Sequence, residues 1–211
     1  MIRAFFFDFN GTLSDDEPIL CELWQALFAE RGVALTSDEY YLSLAGFSDR
    51  EIAERGLGLE GEERDAVVAE LVRRYRQRVA DGSSVGPEMR AAVRRAAASV
   101  PVAVVSGAAR EQIEAVLGAA ELRDAVTVLV AVEDVRAGKP DPEGFLRAAA
   151  ELGVEPADVV ALEDSPPGVA AAKAAGMRCV AVLGTAGPER LAAADETVER
   201  IDVELIDRLL A

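Results

Sequence analysis

Histidine is absent from the 211 residues. That excludes every mechanism that uses imidazole as base, acid or metal ligand. A Ser–His–Asp triad and a histidine-ligated zinc site are both ruled out. Cysteine is nearly absent too. Cys21 and Cys179 lie far apart without metal-ligand spacing. They read as small buried apolar residues, and a cytoplasmic protein with reduced thiols is the expected setting. Lysine occurs only at positions 139 and 173. No apolar run reaches the roughly 18 residues of a membrane span. The opening MIRAFFFDFN is too short in its apolar part, and too weakly basic, to read as a secretory leader.

Acidic residues are abundant instead. The chain has 38 Asp plus Glu against 22 Lys plus Arg, a formal net charge of −16. A protein this acidic repels nucleic acid and anionic membranes, so neither is expected as a partner. Hydrophobic residues make up 51%, enough to bury a core and to exclude disorder. The length fits one domain with room for an insertion.

Short apolar runs alternate with helical patterns along most of the chain. Ala4–Phe7, Val102–Val105, Val126–Val130, Val159–Leu162 and Cys179–Leu183 are continuously apolar, as expected for strands of a parallel sheet covered on both faces. Helical spacing occupies about 87–99, 110–119, 142–152 and 167–175, with Gly153 and Gly176 placed to end helices. The pattern predicts an α/β, doubly wound, mostly parallel sheet. Residues 16–85 break the alternation. Leu20, Leu23, Trp24, Leu27 and Phe28 recur at helical spacing, and so do Val67, Val68, Leu71, Val72 and Tyr75. A helical insertion over 16–85 is expected, interrupting a core of 1–15 and 86–211. Ala80–Pro87 is its expected return hinge. Trp24 and Phe28, four apart, read as core of the insertion. Glu60–Glu63 reads as a solvated loop or helix start.

Ligands of a doubly wound sheet bind beyond the carboxyl ends of its strands. Asp8-Phe9-Asn10-Gly11-Thr12-Leu13 follows the first strand and Ser106-Gly107 the second. Gly138-Lys139-Pro140-Asp141-Pro142 precedes the fourth unit, and Glu163-Asp164-Ser165 follows the fourth strand. Carboxylates from two strands repel unless a cation lies between them, and hard oxygen ligands select Mg²⁺. A carboxylate beside Mg²⁺, with a lysine and a serine to hold oxyanions, suits displacement at phosphorus.

In these four segments, in this order, the chain resembles the haloacid dehalogenase superfamily, mostly Mg²⁺-dependent phosphatases. The run Gly138–Phe145, and Glu163-Asp164-Ser165 followed by Gly168, Ala171, Ala172, Ala175 and Gly176, are similar to its β-phosphoglucomutase and phosphoglycolate phosphatase branch. The resemblance implies a Rossmann-like core with the insertion as an α-helical cap. It makes Asp8 the nucleophile, passing through an aspartyl-phosphate. It places Mg²⁺ on Asp8, Asp164 and the backbone carbonyl of Asn10, assisted by Glu163. Ser106 and Lys139 would hold phosphoryl oxygens, and Thr12 and Gly107 would position the loop. Ala45–Glu51 resembles the branch's specificity loop and sets Arg50 against a charged substrate group. The implied partner is a small phosphorylated metabolite; oligomeric state is not legible.

Asn10 departs from the pattern. The usual phosphatase has an aspartate there, which protonates the leaving oxygen and then deprotonates water. An amide does neither at neutral pH, and lost acid–base help costs about 10²–10⁴ in rate. Four explanations stand open: a substrate with a good leaving group such as an acyl phosphate; replacement by Asp15 or Asp16; an engineered substitution that traps a complex; or a weak or inactive member. A dehalogenase would have tyrosine at this position and would not need the Glu163-Asp164 pair. A phosphonatase needs a cap lysine, and residues 16–85 contain none. A phosphosugar mutase needs the second aspartate. The leading expectation is a Mg²⁺-dependent phosphate-ester hydrolase. The alternatives are a weak or inactive phosphate-binding member and a phosphosugar mutase.

Overall fold

A computed structural model describes residues 1–211. Its centre is a six-stranded sheet in the order β3-β2-β1-β4-β5-β6. The strands are β1 (Ala4–Phe7), β2 (Val102–Val105), β3 (Val128–Val130), β4 (Val159–Glu163), β5 (Arg178–Val182) and β6 (Glu196–Val198). Every pairing is parallel. β1 to β5 are the five runs read from the sequence, β1 and β2 with the same ends and the other three with ends shifted by one or two residues.

Burial on both faces explains the continuous hydrophobicity. Phe5 and Phe7 of β1, Val102 and Val104 of β2, and Val160 and Leu162 of β4 belong to one apolar cluster. Their neighbours Ala4, Phe6, Ala103, Val105, Val159 and Ala161 belong to another. The period of two splits each strand between two layers. The first layer is completed by α5 (Pro87–Ala97), α6 (Arg110–Ala119) and α9 (Val203–Leu210). The second contains α7 (Glu143–Leu152) and α8 (Pro166–Ala174). Phe6 sits at the middle of the second layer and is fully buried. Phe6→Ala is expected to cost about 3–5 kcal/mol, read as a lower urea midpoint at unchanged slope.

Between β1 and α5 the chain forms helices only: α1 (Glu17–Ala29), α2 (Ser37–Ser43), α3 (Asp49–Leu57) and α4 (Gly61–Arg78). The stripe Leu20, Leu23, Trp24, Leu27 and Phe28 is buried against α4, where Val67, Leu71 and Tyr75 are buried in turn. Trp24 and Phe28 meet edge to face at 6.0 Å. The two ends of the insertion are stitched together, since Asp15 N–H donates to the Ser84 carbonyl at 2.7 Å. Its apolar residues are continuous with the first layer of the sheet.

Two elements lie outside the sequence expectations, β6 and α9. β6 has three residues, Glu-Thr-Val, at the sheet edge, and so shows no apolar run. α9 shows its stripe only in Leu205, Ile206 and Leu209, too few residues for periodicity to stand out. No helix is long and apolar enough to cross a membrane.

Candidate active site

The order of strands reverses direction at β1, whose neighbours are β2 on one side and β4 on the other. The crevice of such a sheet opens at this switch, beyond the strand ends. The chemistry-bearing segments meet there.

Asp8 leaves β1 with its N–H on the Leu162 carbonyl at 2.9 Å. The chain then turns sharply: the Phe9 carbonyl accepts from Leu13 and Ser14, both at 2.9 Å. Gly11 holds the turn at φ +73°, and a Cβ there would overlap the Asp164 carboxylate. Only glycine meets both demands. Thr12 Oγ1 donates to Asp164 Oδ1 at 3.1 Å, tying the turn to the end of β4.

Glu163 and Asp164 are buried at that end. Glu163 Oε2 accepts from the Asp164 N–H and the Ser165 hydroxyl, both at 3.2 Å. Ser165 also caps α8 by accepting from Gly168 N–H. Gly168 carries no Cβ that would overlap the Glu163 carboxylate. Lys139 Nζ bridges Asp8 Oδ1 and Glu163 Oε1, the latter at 2.5 Å. Its ammonium lies 5.4 Å from the centre of the Phe145 ring. Burial alone would lower the Lys139 pKa, but Asp8 and Glu163 raise it more; the side chain is a fixed cation.

Asp8, Glu163 and Asp164 each offer an oxygen within 4.8 Å of the others. Three carboxylates against one ammonium leave a formal charge of −2. Burial and then the Asp8 charge raise the pKa of both Glu163 and Asp164. Asp164 Oδ2 is buried without a hydrogen-bond partner. An all-oxygen donor set, a formal charge of −2 and an orphaned carboxylate oxygen fit a hard divalent cation such as Mg²⁺.

A narrow cavity opens onto this cluster, and Asp8, Asn10, Ser106, Gly107 and Lys139 line it. The Ser106 hydroxyl accepts from Ala108 N–H at 3.1 Å, which orients it at the end of β2. Thus Asp8, Asn10, Thr12, Ser106, Gly107, Lys139, Glu163 and Asp164 come together as the sequence reading places them. Arg50 does not join them. It is exposed and lines a separate depression with Glu51, Glu54, Arg64 and Arg136. The cause is helical phase. The Ser48–Glu51 capping box starts α3 so that Asp49 turns inward and Arg50 outward.

The amide of Asn10 donates to Asp16 Oδ2 at 3.1 Å, and the Tyr75 hydroxyl donates to the same oxygen. Asp16 is fully buried and burial pushes its pKa up to about 6. It does not line the cavity, and Asp15 is exposed outside it. Two polar cavity residues, Glu17 and Tyr40, lie outside the sequence expectations, while Asp49 belongs to the expected loop Ala45–Glu51, in which Arg50 was the expected contact. Glu17 stood unnoticed in the acidic run Asp15-Asp16-Glu17. Its only mark is that Pro18 behind it sets a helix start.

A family model described as haloacid dehalogenase-like hydrolase matches residues 2–176. Validoxylamine A 7'-phosphate phosphatase of Streptomyces hygroscopicus subsp. limoneus is 34% identical over 209 residues, spanning 92% of each chain. Hexitol phosphatase B of Escherichia coli is 31% identical over 185 residues, spanning 86% of this chain and 83% of that one. Among solved structures, an aspartate-to-asparagine mutant of CbbY from Rhodobacter sphaeroides, in complex with xylulose-(1,5)bisphosphate, superposes with a TM-score of 0.86 at 29% identity. That match covers 97% of this chain and 96% of the other.

Proposed function

The chain belongs to the haloacid dehalogenase-like hydrolases and is a phosphatase of small phosphorylated molecules; we propose that it works through an aspartyl-phosphate on Asp8 with Mg²⁺ as cofactor. The bridge of Lys139 between Asp8 and Glu163, beside the orphaned Asp164 oxygen, carries this reading. Asp8, Asp164 and the Asn10 carbonyl would hold the ion, with Glu163 assisting. When bound, the ion supplies positive charge for the phosphoryl oxygens.

The remaining steps belong to the chain. A carboxylate oxygen of Asp8 attacks phosphorus while the bond to the leaving oxygen breaks. Lys139 and the Ser106 hydroxyl hold the phosphoryl oxygens, and Gly107 and Thr12 fix the loops around them. Water then attacks the aspartyl-phosphate, releasing phosphate and restoring Asp8. Asn10 supplies hydrogen bonds but no proton in either half. Residues 16–85 act as the cap that excludes water over the site. Arg50, on the outer side of α3, is left to contacts outside the cavity.

Phosphate release from a panel of phosphate monoesters and acetyl phosphate tests the reading. Excess EDTA is expected to lower the rate about 10³-fold or more, and added Mg²⁺ to restore it. Undiminished turnover in EDTA removes the metal from the reading. Asn10 favours one second reading, a member that binds phosphate without turning it over; it requires silence with every substrate, acetyl phosphate included.

A further inference from the structure

Residues 16–85 meet the core closely along one edge of the cavity. Gly46 sits at φ +88°, and a Cβ there would come within 2.7 Å of the Ser165 side chain. Glycine at this point lets the segment after α2 lie flat against the end of β4. The Ser48 backbone in turn lies against Gly107 at the end of β2. Gly46 and Phe47 of this segment line the cavity, with Tyr40 of α2. Contact of this kind brings two surfaces together without a bond that holds them.

The holding bonds come from Arg190. The Tyr41 and Leu42 carbonyls lie in the last turn of α2, and no main-chain N–H reaches either. α2 has no basic residue of its own in that turn. Arg190 Nη1 donates to the Tyr41 carbonyl at 3.0 Å and Nη2 to the Leu42 carbonyl at 3.2 Å. A planar guanidinium presents these two donors side by side, which suits two successive carbonyls at a helix end. Both hydrogen bonds cross from the core to the insertion. Arg190 lies in the connection between β5 and β6, residues 183–195. Ala186 and Leu191 of that connection are buried in the second layer of the sheet, so the base of the side chain is anchored. Thr185, near its start, stands beside Gly11 and the Asp164 carboxylate. Arg190 itself does not line the cavity. Resting on the reading of residues 16–85 as a cap over the phosphatase site, we propose that Arg190 is the clasp that holds the cap shut, a positioning residue that sets substrate affinity and product release without touching substrate. Opening the cap breaks both bonds. A substrate that needs the closed form then binds in proportion to the fraction of protein that is closed.

Arg190→Ala tests the clasp through KM, kcat and hydrogen exchange. Arg190 is exposed, and two charge-assisted hydrogen bonds open to water set the expected shift toward the open form at about tenfold. With acetyl phosphate and Mg²⁺, KM is expected to rise about tenfold. The kcat is expected to hold or to rise, because product leaves an open cap sooner. Arg190→Lys keeps a charged donor and is expected to fall between alanine and the unmodified protein. Mere loss of folded protein does the opposite, lowering kcat at unchanged KM. That pattern, an unmoved KM, or a lysine variant no better than alanine overturns the proposal. Hydrogen exchange reads the clasp without turnover. The Leu44, Ala45 and Phe47 amides bond within the segment that Arg190 holds. In Arg190→Ala they are expected to exchange about tenfold faster, with the amides of β1 and β4 unchanged. Equal acceleration in β1 and β4, or none at Leu44–Phe47, overturns the clasp and leaves the phosphatase reading standing. Silence of the unmodified protein with acetyl phosphate and every phosphate monoester overturns the phosphatase reading instead, and the exchange result alone then decides the clasp.

Discussion

Asp8→Ala is expected to reduce phosphate release to background, a fall of about 10⁴-fold or more. Three effects act together. The nucleophilic oxygen is lost, one of three carboxylates leaves the cation cluster, and Lys139 keeps only Glu163 as partner. The fold should survive. Asp8 raises the pKa of Glu163 and Asp164 through its charge, after burial the largest cause at both. Removing it relieves repulsion among buried groups at the end of β1 and β4. The thermal midpoint in the absence of Mg²⁺ is therefore expected to hold or rise, which separates a chemical loss from unfolding. Asp8→Asn should behave alike in rate, since an amide is no nucleophile at phosphorus. Turnover by Asp8→Ala within tenfold of the unmodified protein would remove the covalent intermediate from the mechanism.

The site was legible because each of its segments follows a strand that announces itself. Ala4–Phe7 and Val159–Glu163 are buried on both faces, so they appear as apolar runs, and the polar residues after them stand out by contrast. Lys139 was legible as one of two lysines in the chain. The wall contributed by residues 16–85 was not. Its residues come from α1, α2 and α3, and their orientation depends on helical phase and on how α1 packs against α4. Arg50 and Asp49 show the difference: adjacent in sequence, they face opposite ways because the Ser48 cap fixes where α3 begins. Glu17 was hidden for a related reason. Asp15, Asp16 and Glu17 read alike as an acidic run, yet one is exposed, one is buried beneath Asn10, and one lines the cavity. Charge cannot be assigned a direction until the turn after β1 is known. β6 and α9 were missed on length alone, a three-residue edge strand and an eight-residue helix.

Asn10→Asp is expected to raise kcat for phosphate esters with alkoxide leaving groups about 10²- to 10⁴-fold, and to raise acetyl phosphate hydrolysis far less. The contrast follows from the leaving group. An alkoxide departs slowly without a proton, whereas acetate departs as a stable anion. The surroundings favour a carboxyl that keeps its proton. Asn10 Nδ2 now donates to Asp16 Oδ2 at 3.1 Å. With aspartate at position 10, two carboxyl groups would share that contact, and like charges this close do not both ionise. Asp16 already stands at about 6, through burial that outweighs its hydrogen bonds from Tyr75 and Asn10. The new pair would hold one proton between them near neutral pH. That proton is the one the unmodified site lacks, and no histidine exists anywhere in the chain to provide another. The variant's rate on alkyl phosphates should therefore fall as pH rises through the pair's upper pKa, while the unmodified protein shows no such limb. Parallel gains on alkyl phosphates and acetyl phosphate would mean that the new carboxylate acts by some route other than proton transfer. Turnover of alkyl phosphates by the unmodified protein at the variant's rate would mean that proton transfer at residue 10 does not limit the reaction, and the role of acid would pass to another group in the cavity wall.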